Sequence, residues 1–167
     1  MKIVIVSGYF NPLHIGHIKM FQAARAMGDR VVAIVNNDAQ QMLKKGKIIM
    51  NEQERYEIVS SIKYVDDVWL ANDTDRTVCQ TLLSITNYRP YFGNELIFAN
   101  GGDRDSAKQV PEADICARAG IKMIFDCGGT EKLNSSTNIN RLTGKEKENE
   151  GNNLPSGTDL SLGTRVV

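Results

Sequence analysis

Residues 2–35 read KIVIVSGYFNPLHIGHIKMFQAARAMGDRVVAIV, and their pattern fixes the architecture. KIVIVS (2–7) is a β-branched run closed by Gly8, as expected of a short strand. Between Gly16 and Met27 the apolar residues Met20, Phe21, Ala24 and Met27 fall at helical spacing, and Gly28 supplies the stop. VVAIV (31–35) is apolar without alternation, which suits a strand covered on both faces, as in a parallel sheet. Strand, helix and strand make a βαβ unit.

The alternation continues downstream. Asn51-x-x-Glu54 predicts a capping box, Glu54 reaching back to the cap, ahead of a helix that carries Tyr56, Val59 and Ile62 toward a core. A third strand is expected near Val68–Leu70, a helix around Thr77–Ile85, a strand at Leu96–Ala99, a helix near Ala113–Ala119 and a strand at Lys122–Phe125. The whole predicts a doubly wound α/β fold with about five parallel strands in a single domain, residues 1–143. Residues 144–167, GKEKENEGNNLPSGTDLSLGTRVV, lack periodic apolar residues and are expected to be a disordered polar tail. The alternative is a binding arm in which Leu160, Leu162 and Val166 dock on a neighbouring subunit of a homodimer.

Composition narrows the function classes. At 167 residues the chain can bury a core without staples. Twenty Lys plus Arg balance twenty Asp plus Glu, so no global basic field draws the chain onto nucleic acid or an anionic membrane. Any anion site is therefore local. Cys79, Cys116 and Cys127 are odd in number and lack metal-ligand spacing; MKIVIVSG breaks at Ser7 and Gly8 and does not read as a signal peptide. A soluble cytoplasmic protein with reduced thiols is expected, and no apolar run approaches the ~20 residues of a membrane span.

In a doubly wound sheet, ligands bind at the carboxyl ends of the strands, so the turn GYFNPLHIGH (8–17) stands where a site is expected. Gly8 allows close backbone approach to a ligand. The peptide N–H groups near Gly16 and His17 open a helix whose positive end favours phosphate. His14 and His17 are the only histidines and, three residues apart, can face one side of the turn. A histidine at a helix start also serves as a cap, and a histidine pair also binds metal, although no nearby Cys or His supplies the third ligand.

The run G-x-F-[DN]-x-x-H-x-G-H resembles the HxGH signature of the nucleotidyltransferase superfamily, which contains cytidylyltransferases, pantetheine-phosphate adenylyltransferase and the class I aminoacyl-tRNA synthetases. The similarity extends over most of residues 1–143 through HIKMFQAARAMGD, ERYEIVSSIKYVDDV, GGDR and SSTNI. It is strongest to glycerol-3-phosphate cytidylyltransferase and the adenylyltransferase domain of ADP-heptose synthase; the chain is too short for a synthetase and shows no KMSKS-like loop. The resemblance implies a Rossmann-like fold and transfer of NMP from ATP or CTP to a phosphorylated sugar or polyol, with release of pyrophosphate. Phosphopantetheine is the alternative acceptor, and an inactive nucleotide-binding module on the same fold the alternative function.

By the same resemblance His14, His17 and Lys44 are catalytic. Gly8, Tyr9, Phe10, Gly16, Lys47, Gly102, Asp103, Ser135, Ser136 and Thr137 bind nucleotide, and Asn11 and Arg55 bind the acceptor. Lys44, Lys45 and Lys47 are expected in a loop at the ligand end of the sheet, where the alternative is a solvated charge run. Arg55 is expected on an exposed helix face, where it could equally be structural. Hydroxyls at Ser135–Thr137 suit an anion site at a helix start, or a plain cap for one of the three. No residue is assigned to a protein-held metal, and Mg²⁺ is expected to arrive with the NTP. Two departures bear on the nucleotide: Gly128-Gly129-Thr130-Glu131 lacks the arginine that precedes the TEG of cytidylyl-specific relatives, and Asn134 precedes the Ser-Ser-Thr block. These departures leave the choice between ATP and CTP open, and the likeness of GGDR and SSTNI to the heptose enzymes slightly favours ATP.

Overall fold

The structure, a computed structural model, describes residues 1–101, 110–129 and 135–144. The β-branched runs form β1 (Lys2–Gly8), β2 (Arg30–Val35), β3 (Asp67–Leu70), β4 (Glu95–Ala99) and β5 (Lys122–Ile124). Between them lie α1 (Ile15–Met27), α2 (Asp38–Lys45), α3 (Glu52–Ser60), α4 (Cys79–Thr86) and α5 (Ala113–Ala119), and α6 (Ser136–Leu142) follows. The strands pair in parallel in the order β3-β2-β1-β4-β5. The chain winds outward from β1 in both directions, so β1 and β4 flank the point where the order reverses and a crevice opens at their carboxyl ends.

The lack of alternation in the strands has a direct cause. Ile3, Ile5, Val32, Ile34 and Phe98 pack on one face with Leu82 and Ile85 of α4 and Cys116 of α5. Val4, Val6, Val31, Ala33 and Val35 pack on the other with Phe21 and Ala24 of α1 and Val59 of α3. Successive residues of β1 are thus buried on opposite faces, and a continuous apolar run is what a doubly covered parallel sheet requires. The structure has the expected Rossmann-like α/β fold.

Three expectations need correction. Lys44 and Lys45 are not in a loop: they form the last turn of α2, which Asn37 and Gln40 open with a reciprocal capping box and Gly46 closes in the left-handed conformation. At α3 only half of the expected box forms, Asn51 accepting from Glu54 N at 2.8 Å. That helix ends at Ser60, leaving Ile62 in the following turn, still packed on the core.

Cys79, Cys116 and Cys127 are free thiols, and burial raises the latter two to about 12 and about 11. Among the described residues no helix is long and apolar enough to cross a membrane. The 144–167 tail, with Leu160, Leu162 and Val166, lies outside the described residues except for Gly144.

Candidate active site

The turn after β1 is built inward before it turns outward. Phe10 adopts φ +49°, a left-handed conformation that costs a non-glycine residue about 1–2 kcal/mol, and its ring drops into the core. There it is 1 % exposed, edge-on to His17 at 5.0 Å and tilted against Phe21 at 5.4 Å. A Cβ on Gly8 would lie 2.9 Å from that ring. Gly8 is therefore needed to admit Phe10, and Phe10, with its ring buried, is a support beneath His17 rather than a surface for nucleotide.

The histidines form a reciprocal cap. His14 is the N-cap of α1, its Nδ1 accepting from Gly16 N at 3.1 Å, while His17 Nδ1 accepts from His14 N at 3.2 Å. The rings stack with centroids 3.8 Å apart. This corrects the expected source of anion donors. The N–H groups of Gly16 and His17 are already bonded, the second to His14 O at 3.0 Å. A neutral imidazole that accepts at Nδ1 carries its proton at Nε2, so each ring presents an Nε2–H donor on the edge away from the backbone. Burial lowers both pKa values, that of His17 to about 3 with repulsion from His14 adding to burial. At neutral pH both are hydrogen-bond donors without charge.

Buried amides and one guanidinium hold the turn from behind. Arg55, expected on an exposed helix face, has a fully buried side chain. It donates to Met50 O at 2.9 Å, Tyr9 O at 3.0 Å and Asn36 O at 2.5 Å, and pairs with Asp38 Oδ1 at 2.7 Å. The reason is topological: α3 packs on β2 and β3, and from there the guanidinium fork ties together the carbonyls of Tyr9 and Asn36, just past the ends of β1 and β2. Asn11 is likewise fully buried. Its side-chain amide nitrogen donates to Gln41 Oε1, and its backbone carbonyl accepts from Asn140 Nδ2 at 3.0 Å, while its buried Oδ1 has no hydrogen-bond partner among the described residues.

Of the other expected residues, Lys44 and Ser136 reach this turn. Lys44 Nζ lies 4.2 Å from the centroid of the Tyr9 ring, and Tyr9 OH donates to Gln40 O at 3.5 Å. Lys47 is half-buried in the segment after Gly46. α6 comes up against the turn through Ser136 Oγ, which donates to Pro12 O at 2.8 Å. Ser135 is the plain cap of the hydroxyl cluster, accepting from Asn138 N at 3.1 Å, and Thr137 is exposed. Across the crevice Gly101 follows β4, so close to α1 that a Cβ would sit 2.8 Å from Met20 Sδ. Gly102 and Asp103 lie outside the described residues.

Sequence reasoning missed Gln40, Gln41, Asn36, Asp38 and Asn140. The spacing Asn37-x-x-Gln40 was the one local signal for the first of these.

A parallel sheet whose order reverses beside this histidine-capped helix puts the turn at the crevice where doubly wound folds bind ligands. Residues 5–119 match the cytidylyltransferase-like family model, and the chain belongs to that family. It is 33% identical over 114 residues to the bifunctional protein HldE of Haemophilus influenzae, covering 61% of this chain and 24% of that protein. It is 42% identical over 65 residues to ethanolamine-phosphate cytidylyltransferase of Dictyostelium discoideum, covering 39% of this chain and 18% of that one. The chain thus spans less than half the length of these curated relatives. A crystal structure of the lipopolysaccharide core biosynthesis protein from Thermoplasma volcanium shares the fold, with a TM-score of 0.57 and 24% identity over 75% of this chain and 96% of that one.

Proposed function

We propose that the chain is a nucleotidyltransferase that joins the NMP of ATP or CTP to a phosphorylated sugar or polyol. An acceptor phosphate oxygen attacks the α-phosphorus and forms a new P–O–P bond. The bond to the β-phosphoryl group breaks, and its electron pair leaves on pyrophosphate. The acceptor phosphate has a second pKa near 6, so at neutral pH it is already largely a dianion and needs no general base. What remains is to bring two anions together and to stabilise charge spreading onto the transferred group and the leaving group.

The observation that carries this reading is the histidine cap. His14 and His17 are locked at Nδ1 and uncharged, so they keep two fixed Nε2–H donors at the carboxyl end of β1. Donors held in place before the reaction stabilise developing charge without reorganising. Lys44 and Lys47 take the triphosphate, and the start of α6 at Ser135–Thr137 takes the departing pyrophosphate, with the exposed Thr137 hydroxyl as donor while Ser136 Oγ holds Pro12 O. Phe10 and Arg55 position the turn from within the protein, and Asn11, whose Oδ1 has no hydrogen-bond partner among the described residues, is kept for the acceptor. Mg²⁺ enters with the NTP as part of the substrate, held by phosphate oxygens and water. Among the described residues no group of three or more His, Cys, Asp or Glu is spaced to hold a metal ion.

The test is pyrophosphate release with ATP and CTP against sugar phosphates, polyol phosphates and phosphopantetheine. Release should need both substrates and fall by about 10²–10³ in H14A and H17A. Binding of NTP with no turnover of any acceptor would make the chain a nucleotide-binding module instead. Turnover of phosphopantetheine alone would overturn the acceptor.

A further inference from the structure

The burial of Arg55 removes the cation that the sequence had offered to the acceptor phosphate. Another cation stands ready at the carboxyl edge. The segment between β3 and α4 carries Arg76, exposed, whose guanidinium donates to Leu43 O in the last turn of α2 at 2.5 Å. Lys44 and Lys45 follow Leu43 directly, and Lys47 lies just beyond the cap.

This corner is built rather than incidental. The fully buried side chain of Gln40 donates through Nε2 to Asp75 O at 2.7 Å and to Thr77 O at 2.6 Å, so one amide grips the backbone on both sides of Arg76. Its Oε1 accepts from Asn36 Nδ2 and Asn37 N at 2.9 and 3.0 Å. Asn37 Nδ2 donates to Ala71 O and Asp73 O and secures the start of the same segment. Through Gln40 O the same turn of α2 receives the Tyr9 hydroxyl, and Lys44 rests over the Tyr9 ring. Arg76, Lys44 and the turn after β1 are therefore referenced to a single helical turn.

The neighbouring acids are turned onto the protein. Asp75 accepts from Thr77 N and Oγ1, which holds its carboxyl below the usual range. Asp73 accepts from Gln80 N, Thr81 N and Thr81 Oγ1, and Asp38 pairs with Arg55. These carboxylates are held by protein donors, while Arg76 and Lys44 are exposed at this corner.

We propose that Arg76 receives the phosphate of the acceptor and so selects phosphomonoesters over unphosphorylated polyols. The proposal rests on the nucleotidyl-transfer reading. A planar fork with one N–H anchored on Leu43 O keeps further donors for a phosphate dianion, a geometry that lysine does not reproduce. Lys44 and Lys47 remain with the triphosphate, so the two substrates meet different cations.

The experiment is calorimetric titration of the full chain with glycerol 3-phosphate, glucose 1-phosphate, glycerol, glucose and a non-hydrolysable NTP analogue, alongside steady-state kinetics. In R76A the affinity for the two phosphomonoesters falls about ten- to a hundred-fold, the usual worth of charge-assisted bonds, and R76K is intermediate. The NTP analogue binds within about twofold of wild type, and the melting temperature confirms folding. Loss of NTP affinity in R76A would assign Arg76 to the triphosphate, and unchanged phosphomonoester binding would leave it a surface residue. Failure of the wild type to bind either phosphomonoester would also overturn the proposal. Binding that depends on Arg76 without turnover would instead refute the nucleotidyl-transfer reading and leave the phosphate site standing.

Discussion

Replacing Arg55 with alanine separates a buried clamp from a substrate contact. The variant deletes a fully buried guanidinium and leaves Tyr9 O, Asn36 O and Met50 O without that donor and Asp38 without its cation. Breaking a buried pair by removing one partner costs about 3–5 kcal/mol, and each stranded acceptor about 1–3 kcal/mol. These terms do not add, because Asp38 is 23% exposed and regains water, so a total of about 4 kcal/mol is expected. In a domain of this size that lowers the melting temperature by about 8–16 °C, out of a total stability of about 5–15 kcal/mol. R55K keeps a charge but not the fork, and should recover only part of the loss. Denaturant unfolding followed by circular dichroism gives the stability, and initial rates give KM and kcat. The variant should show a large stability loss with kcat reduced as the turn loosens. An R55A protein that melts within about 2 °C of wild type and differs only in acceptor KM would refute the clamp.

Removing either histidine, H14A or H17A, should lower kcat by about 10²–10³, the cost of one preorganised donor, and unchanged turnover in both would remove them from the mechanism. G8A places a Cβ against the Phe10 ring, and overpacking of this kind costs about 1–3 kcal/mol; kcat should fall with stability because the ring supports His17, whereas an unchanged melting temperature would refute the packing argument. The pH dependence has a defined sign. His17 falls from 6.5 to about 3 on folding, so its contribution to stability is fully present above pH 6.5 and is lost as pH drops toward 3, with a slope of at most about 1.4 kcal/mol per unit. H17Q should flatten that slope in acid unfolding curves. The acid limb of kcat/KM should track the acceptor phosphate near pH 6 rather than an imidazole, and should shift when a phosphonate of different pKa replaces the phosphate.

The sheet was legible because parallel strands covered on both faces must be continuously apolar, and VVAIV is such a run. The helix expected near Ala113–Ala119 forms over those residues, where Gly120 in the left-handed conformation ends it. α2 was hidden for a physical reason: its buried face is Gln40 and Gln41, amides that serve the loops around them, so the apolar periodicity that reveals most helices is absent. Only the cap at Asn37 and the stop at Gly46 marked it. Arg55 could be placed on a helix but not inside the protein, because its acceptors lie up to 46 residues away in sequence. The histidines were expected together on the turn after β1, and their rings lie 3.8 Å apart there. Which nitrogens face outward depended on backbone hydrogen bonds that spacing alone does not determine.

The central claim is that an acceptor phosphate oxygen attacks the α-phosphorus of an NTP. Phosphorus NMR of the reaction, with ¹⁸O in the non-bridging oxygens of the acceptor phosphate, tests it most directly. The account predicts a diphosphodiester and pyrophosphate in equal amounts, with an ¹⁸O retained in the new bridge and no product when either substrate is omitted. Formation of NMP and pyrophosphate without an acceptor, or a product whose bridge lacks the label, would contradict it.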